Sequence, residues 1–503
     1  MARIVSRGVG GMGIPHRLAR FSPNILWIVA TAAALRLPTL GRESLWYDET
    51  FTAWVAGRLS WDNMLLAIAG DVHPPLWYIV ERVVIGVFGQ SEAALRLPAA
   101  LFGLATTWLG WKLAQALGFT RSTALLVGFL IAVLPVSVYY GQEARMYTML
   151  ATFVLVMVLG AIRHKWPLFV IGAIGTAYSQ NLGVFYVFVV GLTLLWQARR
   201  SIKQLAPVIL SLAAIVAAWL PWGAVMLEQT RDISDGFWLQ PLTLVNVLWP
   251  IPNMTMGWRM SDAFTLHLYI GALVATGIGL IVSRRWLFGR PGQIILAAAF
   301  GAPLLAAIAS FAWRNIYLPR AWLPSTLLIM LFWAYPLMHL APISRRLLRL
   351  MVGTSLAVGL VAHYFPAQPD RFDVRDWVQP VLEQWQPGDV IYHPAISTAI
   401  TYGYYLPGKP YALRAYASDL NQSLTEETKE AMQFTQAGWD DLNARRVWLI
   451  FFTNPMSRRD ELAFIAHVKA TYPYRAYRHL QMDVAEAGIF LVEVSKSRGI
   501  ASK

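Results

Sequence analysis

The sequence contains no cysteine and few charged residues. Without cysteine it can form no disulfide, no thiolate nucleophile and no cysteine-ligated zinc site. Charged residues make up 14% of the 503 residues, whereas a soluble domain carries roughly 25%. Because hydrophobic residues reach 56%, the composition excludes a soluble enzyme and predicts an integral membrane protein with many spans.

Acidic residues are scarcer than basic ones, with 28 against 42, which gives a net charge of +14. This excess does not require nucleic acid as a partner, because Lys and Arg concentrate at cytoplasmic loops and lipid head groups in membrane proteins. The chain also lacks a glycine-rich phosphate loop between a strand and a helix, so a soluble nucleotide site is not expected. A transferase acting outside the cell would therefore need a membrane-borne activated donor.

Eleven apolar segments approach the length that a membrane span requires. If the short segment 76–89 does not span, every basic cluster falls on the cytoplasmic face, as the positive-inside rule requires. We therefore predict about eleven transmembrane helices, with an uncleaved first span and a cytoplasmic N-terminus. The predicted spans are residues 22–40, 94–113, 122–140, 146–162, 166–178, 182–197, 205–226, 263–283, 292–311, 319–340 and 347–364.

Two outer loops follow from this topology. Residues 41–93 form a long first loop that holds interfacial or re-entrant helices, and residues 227–262 form a second loop. The sequence thus predicts a polytopic α-helical membrane protein whose odd number of spans leaves the C-terminal part outside.

The composition changes after residue 365, where acidic residues return and long apolar runs end. Strands are predicted at 390–393, 447–452 and 488–494, and helices at 372–385 and 457–470. We therefore divide the chain into a transmembrane catalytic domain, residues 1–365, and a small extracytoplasmic α/β domain, residues 366–503.

The first outer loop begins with two adjacent carboxylates, Asp48 and Glu49. A carboxylate near hydrocarbon is costly unless it is paired or solvated, so the pair predicts a functional site. Asp48 is interpreted as a general base or a metal ligand. Glu49 is either a binding residue or an acid that the dipole of a helix N-terminus favours.

Asp71 and His73 lie in the same loop, just before two prolines. The two prolines stop a helix and fix an extended backbone, so both side chains are predicted to sit rigidly at the outer interface. A turn with an incidental acid and a capping histidine is the alternative. A divalent cation is compatible with this loop, although no spacing requires one.

A short outer turn, residues 139–147, combines a carboxylate, a guanidinium and three phenols. Its candidate ligands for a sugar or phosphate are Tyr139, Glu143, Arg145 and Tyr147. A structural ion pair that ties the turn to the first loop is the alternative.

Arg320 lies at the outer mouth of a span, where it breaks the positive-inside pattern, as do Arg231 and Arg314. Arginine is suited to bidentate phosphate binding. Snorkelling to lipid phosphates is the alternative.

Taken together, these motifs resemble the GT-C superfamily of membrane glycosyltransferases. The similar branch includes protein O-mannosyltransferases and the lipid A aminoarabinose transferase, as in glycosyltransferase family 39. The motifs cover roughly residues 25–165. In order, they are RLP at 36–38, LWYDE at 45–49, HPPLWY at 73–78, FG at 88–89, ALRLP at 94–98 and QEARMY at 142–147.

The resemblance implies a polyprenyl-phosphate-sugar donor and a reaction on the extracytoplasmic face of the cell (inner) membrane. It implies that Asp48 deprotonates the hydroxyl of a protein, lipid or glycan acceptor. Such a reaction also needs positive charge at the departing phosphate, which Arg320, together with Arg145 or Arg231, can supply, and it predicts inversion at the anomeric carbon. Two departures stand out. Val72 occupies a place that is acidic in some relatives, and residues 177–181 lack a histidine-containing pattern, so acceptor recognition is expected to differ.

Two other classes of function compete with this interpretation. A transporter or flippase of lipid-linked sugars would show repeated halves and broken helices at mid-membrane, whereas the polar motifs here cluster at outer boundaries. The third class is a non-catalytic cell-envelope assembly protein that binds its partner through the C-terminal domain.

Overall fold

The computed structural model describes residues 23–235, 239, 241–248, 250–255, 262–366, 373–414, 426–453, 459–482 and 485–494. The arginines before residue 22, which support the predicted N-terminal orientation, lie outside these residues. So do the first positions of the helices predicted at 372–385 and 457–470.

The described part of the chain up to residue 366 contains seventeen α-helices. They are α1 (Pro23–Arg36), α2 (Tyr47–Arg58), α3 (Trp61–Ala69), α4 (Leu76–Phe88), α5 (Glu92–Ala116), α6 (Arg121–Val133), α7 (Pro135–Tyr140), α8 (Tyr147–Ile162), α9 (Trp166–Ser179), α10 (Gly183–Ala198), α11 (Ile202–Asp235), α12 (Leu244–Leu248), α13 (Asp262–Leu287), α14 (Arg290–Leu296), α15 (Ala302–Ala312), α16 (Leu323–His339) and α17 (Pro342–Tyr364).

The apolar helices confirm the predicted polytopic membrane fold. Six helical segments of the described chain are long and apolar enough to cross a membrane, and five further apolar helices are shorter. These segments overlap the eleven predicted spans one by one. Two of the six long segments combine adjoining elements, because a π-helical turn, Ala297–Gly301, joins α14 to α15 and a 3-10 turn, Pro319–Trp322, leads into α16.

Two predicted boundaries are wrong. The span predicted at 122–140 is divided between α6 and α7 at Pro135, because proline lacks the N–H that a continuous helix needs and clashes with the preceding turn. The loop predicted from residue 227 begins later, because α11 continues to Asp235. Gln229 in this extension donates hydrogen bonds to the carbonyls of Ile68 and Ala69, both at 3.1 Å, and so holds α11 against the first loop.

The first loop, for which interfacial or re-entrant helices were predicted, contains α2, α3 and α4. Ser60 caps α3 by accepting a hydrogen bond from the Asn63 amide at 3.2 Å. Pro75 precedes α4, and Gly89 ends it with a φ of 78°, a left-handed conformation that glycine adopts without strain. α4 buries one face, which includes Trp77, and among the described helices it is not one of those long and apolar enough to cross a membrane.

The C-terminal residues form a six-stranded mixed sheet with the order β3-β2-β1-β4-β6-β5. Strands β1 to β4 run parallel, whereas β6 pairs antiparallel with β4 and β5. The elements are α18 (Val374–Gln384), β1 (Val390–His393), α19 (Ile396–Tyr405), β2 (Tyr411–Arg414), α20 (Glu426–Ala431), β3 (Gln436–Ala437), β4 (Arg446–Thr453), α21 (Arg459–Thr471), β5 (Tyr474–Met482) and β6 (Ala485–Glu493). The predicted α/β character is confirmed, and β2, β3 and β5 are additional strands.

Helices α19 and α20 pack on α2 and α3, so the sheet rests on the first loop. The Trp54 indole donates to the carbonyl of Met432 at 3.3 Å, and Arg58 donates to the carbonyl of Gly403 at 2.9 Å. A buried apolar cluster that includes Phe51 and Ile400 fills the seam. This packing fixes the orientation of α2, the helix that carries Asp48 and Glu49.

Candidate active site

Helix α2 begins at Tyr47 and turns its first two acidic residues in different directions. Asp48 is buried and faces Arg320, with 2.9 Å between Asp48 Oδ2 and Arg320 Nη1. The contact is an ion pair rather than a well-aligned hydrogen bond. Arg145 approaches the same oxygen to 4.0 Å through Nε and donates from Nη1 to the Asp48 carbonyl at 3.2 Å. Two guanidinium groups therefore enclose one carboxylate.

Asp71 and His73 extend this cluster. His73 Nδ1 lies 2.7 Å from Asp71 Oδ2, and His73 Nε2 lies 3.0 Å from Arg145 Nη2. Because a guanidinium can only donate, Nε2 must accept and the proton of the imidazole must be on Nδ1. Tyr78 also donates to Asp71 Oδ2 at 3.3 Å. The two prolines after His73 thus fix a neutral histidine that orients Arg145.

Burial and charge oppose each other in the pKa values of this cluster. Burial would raise the pKa of Asp48, but Arg320 and Arg145 hold it below its usual value. Burial lowers the pKa of His73, and the Arg145 charge lowers it further, against the attraction of Asp71. Asp48 is therefore ionised and His73 neutral at neutral pH.

A cavity of about 210 Å³ opens onto the cluster. Its polar end is formed by five of the predicted site residues, Asp48, Asp71, His73, Arg145 and Arg320. Most of its remaining wall is apolar, and the apolar side chains are Phe51, Val72, Leu182, Phe185, Met226, Leu239, Trp313, Ile316 and Leu318. Such a cavity suits a ligand with one charged end and a long hydrocarbon part.

Two donors at the polar end have no acceptor among the described residues. The Nε–H groups of Arg145 and Arg320 are both buried and donate no hydrogen bond there. A buried N–H without an acceptor is costly. Both guanidinium groups are therefore available for an anion that reaches the cavity.

Glu49 points away from this cavity. Arg96 of α5 binds it through two hydrogen bonds of 2.7 Å, from Nε to Oε1 and from Nη2 to Oε2. The Ala144 amide donates to Oε1 at 2.8 Å, and the Trp46 amide donates to Oε2 at 3.3 Å. Glu49 therefore joins α2, α5 and the turn that carries Arg145.

The remaining predicted site residues lie around the same turn. Tyr139 and Glu143 line a second, smaller cavity of about 30 Å³ together with Arg96. Tyr147 lies beside the first cavity, with its ring centroid 5.5 Å from the Arg320 guanidinium carbon. The predicted ligands of the turn therefore lie at two different cavities and do not form one site.

A cation-binding arrangement is not formed by the first loop. Asp48 faces arginines, Glu49 faces Arg96, and Asp71 faces His73. No group of three or more His, Asp or Glu side chains that could hold a metal ion occurs in the part of the chain that the structure describes.

Comparison with known proteins gives a family match and a shared fold. The family model described as dolichyl-phosphate-mannose-protein mannosyltransferase matches residues 72–222. ArnT from Cupriavidus metallidurans in the apo state is similar with a TM-score of 0.61 and 14% identity, over 93% of this chain and 97% of that chain. The structure of ArnT from the same organism bound to undecaprenyl phosphate gives a TM-score of 0.60, with the same identity and coverage. No curated protein sequence matches the chain.

The chain shares the fold of these ArnT structures, and part of it matches the mannosyltransferase family model. The resemblance predicted from the motifs of residues 25–165 is therefore confirmed. Arg231 and Arg314 do not line the cavity, whereas Arg320 does.

Sequence reasoning did not assign a role to Arg96 or to the amides of the α9–α10 loop. Arg96 lies inside an apolar segment, and a guanidinium at that depth requires an acidic partner. This requirement could have indicated a structural role for Arg96. Gln180 and Asn181 lie between two apolar helices, α9 and α10, and line the cavity. Two adjacent amide side chains between two spans could have indicated that both residues face a polar site.

Proposed function

We propose that the chain transfers a sugar, a hexose or a pentose, from a polyprenyl-phosphate-linked donor to an acceptor hydroxyl. Asp48 acts as the general base, and the anomeric carbon is inverted. The observation that carries this proposal is the polar end of the cavity, where one carboxylate lies between two arginines whose Nε donors are buried and unused by the described residues.

The donor class is supported by the shape and chemistry of the cavity. The two arginines suit a phosphate, because guanidinium groups bind phosphate oxygens through pairs of N–H donors. The apolar wall, which includes Phe185 and Trp313, suits isoprenoid carbons. ArnT, which shares the fold, has been solved with undecaprenyl phosphate bound.

The reaction needs a base on one side of the sugar and positive charge on the other. Asp48 takes the proton of the acceptor hydroxyl while the oxygen of that hydroxyl attacks the anomeric carbon. The bond between that carbon and the phosphate oxygen breaks, and polyprenyl phosphate leaves with the electron pair. Arg320 and Arg145 stabilise the charge that develops on the phosphate.

Arg320 has two successive partners in this scheme. Without donor it pairs with Asp48, and this pairing keeps the carboxylate a weak base. When the phosphate arrives, it competes for the Arg320 guanidinium and weakens that pair. The pKa of Asp48 then rises, so the base becomes stronger only when a donor is present.

The role of the other predicted ligands follows from their positions. Asp71 and His73 orient Arg145, and Glu49 holds α2 in register with α5 through Arg96. Tyr139, Glu143 and Tyr147 contribute to substrate binding, and Tyr147 lies beneath Arg320.

The orientation in the membrane is likewise proposed. The polar end of the cavity faces the extracytoplasmic side, the N-terminus is cytoplasmic, and residues 366–503 form an extracytoplasmic domain beside the transmembrane domain, residues 1–365. The positive-inside distribution of basic loops supports this arrangement.

Extraction of lipids from the purified protein, followed by mass spectrometry of the head groups, tests the donor class. We expect a polyprenyl phosphate, with or without one sugar. A transfer assay with the recovered lipid and a radiolabelled sugar then separates an enzyme from a flippase or an assembly protein, because only the enzyme releases polyprenyl phosphate. Lipid movement without release would support the flippase instead.

A further inference from the structure

Gln180 is a buried amide on the wall of the cavity, and the chemistry proposed above does not use it. It lies in the short loop between α9 and α10, and only 3% of the residue is exposed. An amide buried to this degree is stabilised only when its polar atoms find partners.

Half of this amide is engaged by the loop itself. The Leu182 amide donates to Gln180 Oε1 at 3.1 Å. Because an N–H group needs an oxygen as its acceptor, this contact fixes which amide atom is oxygen. The nitrogen is then the atom left for the cavity, and none of the described residues accepts a hydrogen bond from it.

The neighbouring residue holds this amide close to the catalytic cluster. Asn181 Nδ2 donates to the Val72 carbonyl at 3.0 Å, and the Trp222 indole donates to Asn181 Oδ1 at 3.2 Å. Val72 directly precedes His73. The loop of Gln180 is therefore tied to the chain segment that forms the polar end of the cavity.

We propose that Gln180 Nε2 donates a hydrogen bond to a ring hydroxyl of the donor sugar, which makes Gln180 a specificity-determining residue. A neutral amide suits a neutral hydroxyl, whereas the cations of the site, Arg145 and Arg320, are engaged by Asp48 and the phosphate. The ligand class is a polyprenyl-phosphate-linked sugar that carries a free hydroxyl. This inference rests on the proposed function.

Binding measurements on the full chain in lipid nanodiscs can separate the sugar from the phosphate. The probes are undecaprenyl phosphate alone and undecaprenyl phosphate that carries a neutral hexose or pentose. Gln180→Met keeps the length of the side chain and removes both amide functions. Gln204→Met, at an exposed position of α11, is the matched control.

For the wild-type protein we expect the sugar to increase affinity over that of the bare lipid. Gln180→Met should reduce affinity for the sugar-bearing lipid by about three- to tenfold, the effect of one hydrogen bond, and leave the bare lipid unchanged. Gln204→Met should change neither affinity.

Three results would overturn the inference alone. They are a wild-type protein that gains no affinity from any sugar, a Gln180→Met variant that keeps the full gain, and a variant that binds the bare lipid equally weakly. The last would place Gln180 on the phosphate. Failure of the wild-type protein to bind any of these lipids would instead contradict the proposed function, and the inference with it.

Discussion

Arg320 Nη1 lies 2.9 Å from Asp48 Oδ2, so the proposed base is paired with a proposed phosphate ligand. Since Arg320 and Arg145 hold the pKa of Asp48 below its usual value against the effect of burial, the free enzyme should keep Asp48 ionised down to acidic pH. When donor phosphate engages Arg320, this stabilisation of the carboxylate weakens and its pKa rises.

The pH dependence of the two kinetic constants tests this exchange. The acid limb of kcat/KM reports the free enzyme, and that of kcat reports the enzyme–substrate complex. We expect the acid limb of kcat to lie at higher pH than that of kcat/KM. Coincident limbs, or a kcat limb at lower pH, would show that Arg320 does not change partner.

The ion pair of Glu49 and Arg96 leads to a prediction about the stability of the protein rather than about sugar transfer. Glu49→Gln removes the charge that compensates the buried Arg96, and breaking such a pair costs about 3–5 kcal/mol. We expect a large fall in thermal stability, whereas Glu43→Gln, on an exposed residue of the same loop, should have little effect. A stable Glu49→Gln protein with a raised KM would instead support substrate binding by Glu49.

His73 should contribute to the pH dependence of stability. Its pKa is lowered in the folded protein, by burial first and by Arg145 next, so the unfolded chain takes up a proton below about pH 6.5 while the folded one does not. Stability should therefore fall as the pH drops below that value. His73→Asn should flatten this fall, and His164→Asn, at an exposed position, should not. Equal slopes for all three proteins would contradict the neutral assignment.

Glu81 should change the pH dependence of stability in the direction opposite to His73. It is fully buried on α4, where burial, followed by the nearby Glu49 charge, raises its pKa well above the usual value. Its neutral form is compatible with folding, so stability is highest below the unfolded pKa of about 4.3 and is lost as the pH rises through the folded pKa. Glu81→Gln should be more stable than the wild type at pH 8 and similar at pH 5. A variant that is less stable at pH 8 would show that Glu81 is needed as an anion.

The membrane part of the fold was largely predictable, because long apolar segments and basic loops follow directly from the cost of placing charge in hydrocarbon. The break at Pro135 was visible in the sequence, but whether a proline kinks or ends a helix depends on packing. Strands β2 and β3 were not predicted, since they are only 4 and 2 residues long; β3 forms one edge of the sheet and β2 lies between it and β1. Their pairing is set by the neighbouring strand rather than by their own hydrophobic pattern.

Most residues of the site could be predicted from the sequence, but not which of them contact one another. The motifs identified Asp48 and Arg320, yet the ion pair between them joins distant parts of the chain. The adjacent carboxylates could not be told apart by sequence, since their roles depend on Arg96 on one side and Arg320 on the other. Gln180 was noted only within the departing segment 177–181 and was given no role, because an amide carries no charge that would make its burial conspicuous.

The central claim is that Asp48 removes the acceptor proton while the arginines bind donor phosphate. Asp48→Asn keeps the shape of the side chain and removes its basicity and charge. The direct measurement compares, for this variant and the wild type, the rate of sugar transfer and the affinity for undecaprenyl phosphate. We expect kcat to fall by about 10²- to 10⁴-fold, the usual contribution of a general base. Affinity for the lipid phosphate should be retained or increased, since Arg320 loses its competing partner. An Asp48→Asn protein that transfers sugar at the wild-type rate would contradict the account.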